Sequence, residues 1–350
     1  MGIFLSASVF LALLVLIGFI QQMNAVGKGA YTIGGALFYT MLNIPSNIYD
    51  TFPVSGVVGV MVGLGALAAN SELVVIQTVG TSRIKIAWLT IITLVLWLIP
   101  LSIVGEYIVP PAKIMAESYR NTKLTKNIGI GVNTGVWVRD GNIIFNATPV
   151  GNVYDIRNKN IIMNDVTVYE LDNSLQVAKV SKAEKAQHFG DHWQLTNIEV
   201  TKFVEAGVTS QVLESQSWPS RIEPEILSIT HSRAKHLSIR DIIKYKNFQA
   251  VKEDTPIKYD IALWSKLTYP LLVIAIAITG LPFIFGLVRS GGLGQRLLIG
   301  MLIGMTLYYL NRILLNVGEV FHVHPIFITA LPVSAILVSV LLYLKTNKIS

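Results

Sequence analysis

The hydrophobic residues of this chain fall in long uninterrupted runs rather than in the short periodic stripes of a soluble domain. The first, Ile3 to Ile20, contains no charge. Others follow at Val54 to Ala69, Ile86 to Val104, Leu267 to Phe285, Leu297 to Leu315 and Ile326 to Leu344. Most approach the roughly 20 residues that cross a hydrocarbon core of about 30 Å; the second is short and is expected to start nearer Thr51. The first run lacks a basic leader, and Met23 to Ala25 makes a weak cleavage site, so a retained helix is expected rather than a signal peptide. The pattern predicts a polytopic α-helical membrane protein with six transmembrane helices in two triplets. The expected limits are 1–109 for the first triplet, 110–262 for a water-facing domain and 263–350 for the second triplet.

Between Asn133 and Phe203 the period changes from helical to two. Trp137 to Asn142 reads as a strand entering an Asp140-Gly141 turn, and Val166 to Leu171 is a β-branched and aromatic run. A third strand begins at His192 after Gly190-Asp191. Its alternation resumes one step out of phase at Ile198 and Val200, which predicts a bulge near Thr196. Several short strands at this spacing predict an all-β sandwich or roll. Leu237 to Tyr245 reads as a short helix capped by Ser238 with Asp241 in its first turn. Trp264 and Lys266 then anchor the return to the membrane.

Composition agrees: 52% of residues are hydrophobic and 14% charged, against about 25% charged in soluble domains. Cysteine is absent, which removes disulfides, thiol nucleophiles and cysteine metal sites. The net charge of +7 matters through its distribution. Arg83 and Lys85, Arg289 and Arg296, and Lys345 and Lys348 all fall on one side of a six-span topology, while the opposite short loops carry Lys28, Asp50 and Glu319. The positive-inside rule makes that basic side cytoplasmic, with both termini inside and the β-domain outside. The β segment is nearly balanced in charge, which excludes a nucleic-acid surface.

No phosphate-binding Gly-rich loop, His-Glu-x-x-His or Gly-x-Ser-x-Gly motif is present, so nothing in the sequence looks catalytic and no cofactor is expected in this chain. His322 and His324 beside Glu319 form a weak metal candidate against the plainer reading of an interfacial loop. Arg312 and Glu106 are ionisable groups near span ends, either functional or reaching for the interface. Ser55, Gly59 and Gly63, and Gly300 with Gly304, form small-residue ladders that serve packing within the chain or against a second membrane subunit. Asn70 to Gly80 predicts a short helix on the basic side, with Asn70 or Ser71 as cap, Glu72 at its positive end and Gly80 left-handed at its close. It suits docking on a soluble partner, or else lying on lipid, where the acid of Glu72 would be poorly placed against anionic headgroups.

Four segments in this order and topology carry a resemblance: Ser71-Glu72-Leu73-Val74-Val75 with Gly80; Gly135-Val136-Trp137 with Arg139-Asp140-Gly141; Trp264-Ser265-Lys266; and Pro282-Phe283-Ile284-Phe285-Gly286 with Arg289-Ser290 and Gly294. The chain resembles the LptF/LptG family of lipopolysaccharide-export permeases over nearly its whole length. The resemblance implies an external β-jellyroll, pairing with an LptF-like permease, and a cytoplasmic LptB-like ATPase dimer that holds the ATP and Mg. It further implies an LptC-like bitopic jellyroll protein as acceptor, lipopolysaccharide as substrate and the bacterial inner membrane as location. Ser71 to Gly80 would be the coupling helix, with Ser71, Glu72, Leu73, Val74, Gln77, Gly80 and Arg83 at the ATPase contact and Glu72 facing an arginine. Arg120 matches a basic position that meets the lipid phosphates; Lys28 and Arg312 join it as substrate-binding candidates. Glu117 and Ser46 stand where the family often has a basic residue. Another lipid or lipoprotein exporter would usually place its large external domain after the first span. A membrane-anchored receptor would not need the docking helix.

Overall fold

The computed structural model describes residues 2–125, 136–140, 142–149, 162–172, 174, 176–189, 192–204, 207–219, 234–250, 257–287 and 293–346. They divide into two compact units: residues 1–21, 43–110 and 255–350, and residues 22–42 and 111–254.

The first unit is helical. Its elements are α1 (Gly2–Met23), α3 (Ile44–Ala69), the short α4 (Glu72–Thr78), α5 (Arg83–Ile103), α8 (Ile257–Ile278), α9 (Leu293–Val320) and α10 (Pro325–Thr346). Among the described residues six helices are long and apolar enough to cross a membrane, in the two triplets expected. The second span is longer than its apolar run, because a proline in its first turn starts α3 at Ile44 and Asp50 is neutralised within it by Arg312. Helix α8 is the centre, with Val273, Ala275, Ile276 and Ala277 fully buried. Two prolines mark irregularities: π-helical turns occupy Val104–Ile108, just before Pro110, and Phe283–Leu287, just after Pro282.

The small residues pack helices within this chain. A Cβ on Gly59 would collide with the backbone of Ile3, so α1 and α3 touch nearly backbone to backbone. Ser6 Oγ donates to the Ser55 carbonyl at 2.8 Å beside this contact, and Gly63 faces Gly2 in the same crossing. Gly300 and Gly304 receive Met61 and Val57 of α3. Small-residue spacing permits such approach in lipid, where dispersion rather than water release drives helix association. Along its remaining length α1 exposes Val9, Leu13, Leu16 and Ile20.

The second unit contains α2 (Ile33–Leu42), α6 (Val109–Thr125, shared at its start with the first unit), α7 (Ile239–Ala250) and six strands. The strands are β1 (Val136–Asp140), β2 (Ile143–Pro149), β3 (Ile162–Leu171), β4 (Val177–His188), β5 (His192–Val204) and β6 (Gly207–Pro219). They form one antiparallel sheet in chain order, so each strand pairs with its sequence neighbour. Asp140 lies opposite Ile143 as the Asp-Gly turn requires; Gly135, Gly141, Gly190-Asp191, Arg289 and Ser290 lie outside the described residues. Phe145, Met163, Trp193, Leu195, Ile198 and Trp218 build the core, and Phe248 of α7 packs on it. Ser238 caps α7 as expected: its Oγ accepts from the Asp241 N–H at 3.0 Å and donates to Oδ2 of Asp241 at 2.6 Å.

The phase slip expected near Thr196 is present but takes another form. Inward positions change parity on three adjacent strands at one line: after Met163 on β3, after Ala183 on β4 and after Leu195 on β5. Pairing keeps its register across that line, with Asn164 opposite Lys185 and Val166 opposite Ala183, and likewise Ala183 opposite Ile198 and Lys185 opposite Thr196. No extra residue is inserted. Instead Asp165 and Asn197 adopt left-handed backbone, φ 51° and 52°, which short polar side chains tolerate best. Asn197 Nδ2 donates to Glu184 Oε2 between them at 2.6 Å. The sheet thus creases along Asp165, Glu184 and Asn197 without slipping.

Candidate functional sites

The short helix α4 lies where the sequence placed it, but its start is built differently. Ser71 makes no side-chain cap; it has φ 63°, a left-handed turn that redirects the chain out of α3. Its carbonyl instead accepts from Val74 and Val75. The C-terminus is a Schellman closure: Gly80 at φ 94° donates to Gln77 O, and Thr81 N to Ile76 O. Leu73 is the anchor, buried in a cluster with Val57, Met61 and Ile86. Glu72, Val74, Val75 and Val79 are exposed and Gln77 is half-buried. Arg83, the first residue of α5, lies over the Phe285 ring at 5.7 Å, and Ser82 caps that helix at Lys85. The result is a closed, exposed short helix with an acid at its positive end and an apolar flank.

A second site gathers around Arg120. Its Nε donates to Gln22 Oε1 at 3.1 Å, and the same oxygen accepts from Tyr31 OH at 3.3 Å. The guanidinium stands 6.0 Å from the Tyr39 ring, while Tyr39 OH donates to Glu117 at 3.2 Å. Burial first, and then the neighbouring carboxylate of Glu117, push the Tyr39 phenol up to about 12, so it stays a neutral donor at physiological pH. The loop bearing Lys28 is pinned to α6 by Ala30 N to Lys123 O at 2.7 Å. Gly29 makes the closest approach: at φ 59°, a Cβ there would strike the carbonyls of Lys123 and Leu124. Lys28 is exposed on this loop. Arg120 and Lys28 therefore belong to one docked loop-and-helix assembly. Gln22, Tyr31 and Tyr39 were not expected as its support; only their aromatic and amide chemistry beside a cation could have signalled it.

Arg312 is elsewhere. Its Nη2 pairs with Asp50 Oδ1 at 2.8 Å and its guanidinium lies 5.1 Å from the Tyr308 ring, tying α9 to α3. Glu106 pairs with Lys266 at 3.1 Å. Among the described residues no group of three or more His, Asp or Glu side chains could hold a metal; the His324 ring lies against Phe327.

These features define a multi-pass membrane protein with a small-residue-packed helical bundle, a separate antiparallel β-sheet and an exposed short helix. Residues 1–346 match the sequence model of the lipopolysaccharide export system permease LptF/LptG, and the chain belongs to that family. Its separate antiparallel sheet is consistent with the fold of that family. Two relatives are named lipopolysaccharide export system permease protein LptG. The one from Haemophilus influenzae is 28% identical over 334 residues, covering 95% of this chain and 91% of the relative. The one from Escherichia coli K12 is 27% identical over 337 residues, with the same coverage of each chain.

Proposed function

We propose that this chain is the permease subunit of an ABC transporter that extracts lipopolysaccharide from the inner membrane and passes it to a periplasmic bridge toward the outer membrane. The observation that carries the reading is the family match over residues 1–346. The exposed, independently closed helix α4 supports it, because a permease without its own nucleotide site must receive work from outside. In this reading both termini and α4 are cytoplasmic and the β-domain is periplasmic. An LptF-like permease is the membrane partner, an LptB-like ATPase dimer supplies ATP hydrolysis, and an LptC-like jellyroll protein receives the lipid. Residues 71–80 with Arg83 form the coupling contact.

The apolar interior of the β-domain suits acyl chains, since exposing them to water costs about 0.8 kcal/mol per CH₂. Arg120, with Nε held by Gln22, has the two terminal guanidinium nitrogens to offer lipid phosphates, and Lys28 adds a second cation. Arg312 holds α9 to α3 through Asp50 and reaches substrate only by leaving that carboxylate. Charge-assisted hydrogen bonds of this type contribute about 1.5–3 kcal/mol. Arg120→Ala is therefore expected to lower lipopolysaccharide photo-crosslinking next to this site tenfold or more. Arg120→Lys, which keeps charge but loses the planar fork, is expected to fall between. Equal crosslinking in all three proteins would remove Arg120 from the substrate path.

A further inference from the structure

Helical residues run from Arg83 to Leu124, through α5, the π-turn Val104–Ile108 and α6. Helix α5 starts two residues beyond the Gly80-Thr81 closure of α4. The cause of the π-turn is legible in the chain. Within it Val109 N bonds back five residues to Val104 O; the next donor in that pattern would serve Gly105 O, but it is Pro110, which has no N–H. A buried carbonyl left without a donor is costly.

The missing donor comes from another helix. Lys266 of α8 places Nζ 3.4 Å from Gly105 O and 3.1 Å from Glu106 Oε2. Both side chains are largely buried, 11% and 22% exposed. The turn is also seated sterically: Gly105 lies against the Tyr49 ring of α3 so closely that a Cβ would overlap it. Tyr49 in turn stacks on Tyr269 at 4.0 Å, and Tyr269 OH donates to Tyr49 O at 2.6 Å. One lysine, one turn of α8 before that tyrosine, thus replaces the backbone bond that Pro110 withholds, with a side chain that can let go. π-turns are rare and frequently sit at functional sites.

We propose that Gly105 is a yielding joint between α5 and α6 and that Lys266 and Glu106 are its positioning residues. Their clamp releases and re-forms as movement entering at α4 is passed along α5. This rests on the exporter reading above. The chain has no cysteine, so Tyr49→Cys/Gly105→Cys introduces one pair, at two positions in contact, that can fix the joint reversibly. The complex with partner permease and ATPase is reconstituted in proteoliposomes, and lipopolysaccharide released and ATP hydrolysed are measured together. Oxidised, the variant is expected to release at least fivefold less lipid per ATP, with hydrolysis within twofold of its reduced form; reductant restores release. A purely structural role for these residues would not give a reversible change in the ratio. Lys266→Met/Glu106→Gln, which removes both charges together, is expected to lower the same ratio about fivefold, and Lys266→Arg to retain most of it. Unchanged ratios in the locked pair and in the double variant, with wild-type release intact, would overturn the joint alone. Absence of ATP-dependent release from the wild type would overturn the joint and the exporter reading together.

Discussion

Replacing Glu72 by Lys is expected to strip the partner ATPase from the permease complex in a pull-down and to lower ATP-dependent lipopolysaccharide release at least tenfold. Glu72 is exposed in the first turn of α4, where a carboxylate complements the helix dipole by about 0.3–1 kcal/mol. Losing that alone does not unfold the helix, because Leu73 stays buried and the Gly80-Thr81 closure is untouched. A charge reversal against a paired arginine costs about 2–5 kcal/mol at an interface, which at its lower end is about 30-fold in affinity. Glu72→Gln, which removes charge and keeps shape, is expected to lose less. Should Glu72→Lys retain the ATPase as well as the unaltered chain does, α4 is not the coupling contact.

The second large effect is expected in the β-domain. Trp193 of β5 is fully buried, its ring 4.9 Å from His188 and 6.0 Å from Phe145. It pairs across strands with Trp218. Truncation to Ala is expected to cost about 3–5 kcal/mol, a large share of the roughly 5–15 kcal/mol that holds a domain folded. Limited proteolysis should then cut within β1–β6 at temperatures where the parent chain resists. Trp137 is the internal comparison. It sits 56% exposed on the Tyr169 ring, and Trp137→Ala is expected to cost under about 1 kcal/mol. Equal protease resistance for Trp193→Ala and the parent would mean that this cluster is not the core of the unit.

The spans were legible because a hydrocarbon core accepts only long uncharged runs. The start of α3 was not, since Asp50 looks like a span boundary until Arg312, distant in sequence, neutralises it. The same separation hid the Lys266–Glu106 clamp. Helix α2 escaped because ten residues are too few for a span signal. Strand β6 escaped because its Ser, Thr, Gln and Glu content, with Val208 and Val212 exposed, gives little apolar alternation. The crease was half legible: the parity change on β5 was visible, but its alignment with β3 and β4 needs the register. Ser71 misled in the ordinary way. Serine before a helix reads as a cap, whereas here the tight exit from α3 forces it into a left-handed backbone. Of the candidate site residues, Gly80 and the exposed Glu72 came from sequence pattern, Arg120 from family resemblance, and its support by Gln22, Tyr31 and Tyr39 only from the fold.

Reconstituting this chain with an LptF-like permease and an LptB-like ATPase in lipopolysaccharide-loaded proteoliposomes, and following lipid transfer to a soluble jellyroll acceptor, tests the export reading most directly. The expected result is transfer that requires ATP and disappears with Glu72→Lys. Lipopolysaccharide bound by the β-domain, but transferred no faster with ATP than without it, would contradict export and favour a receptor.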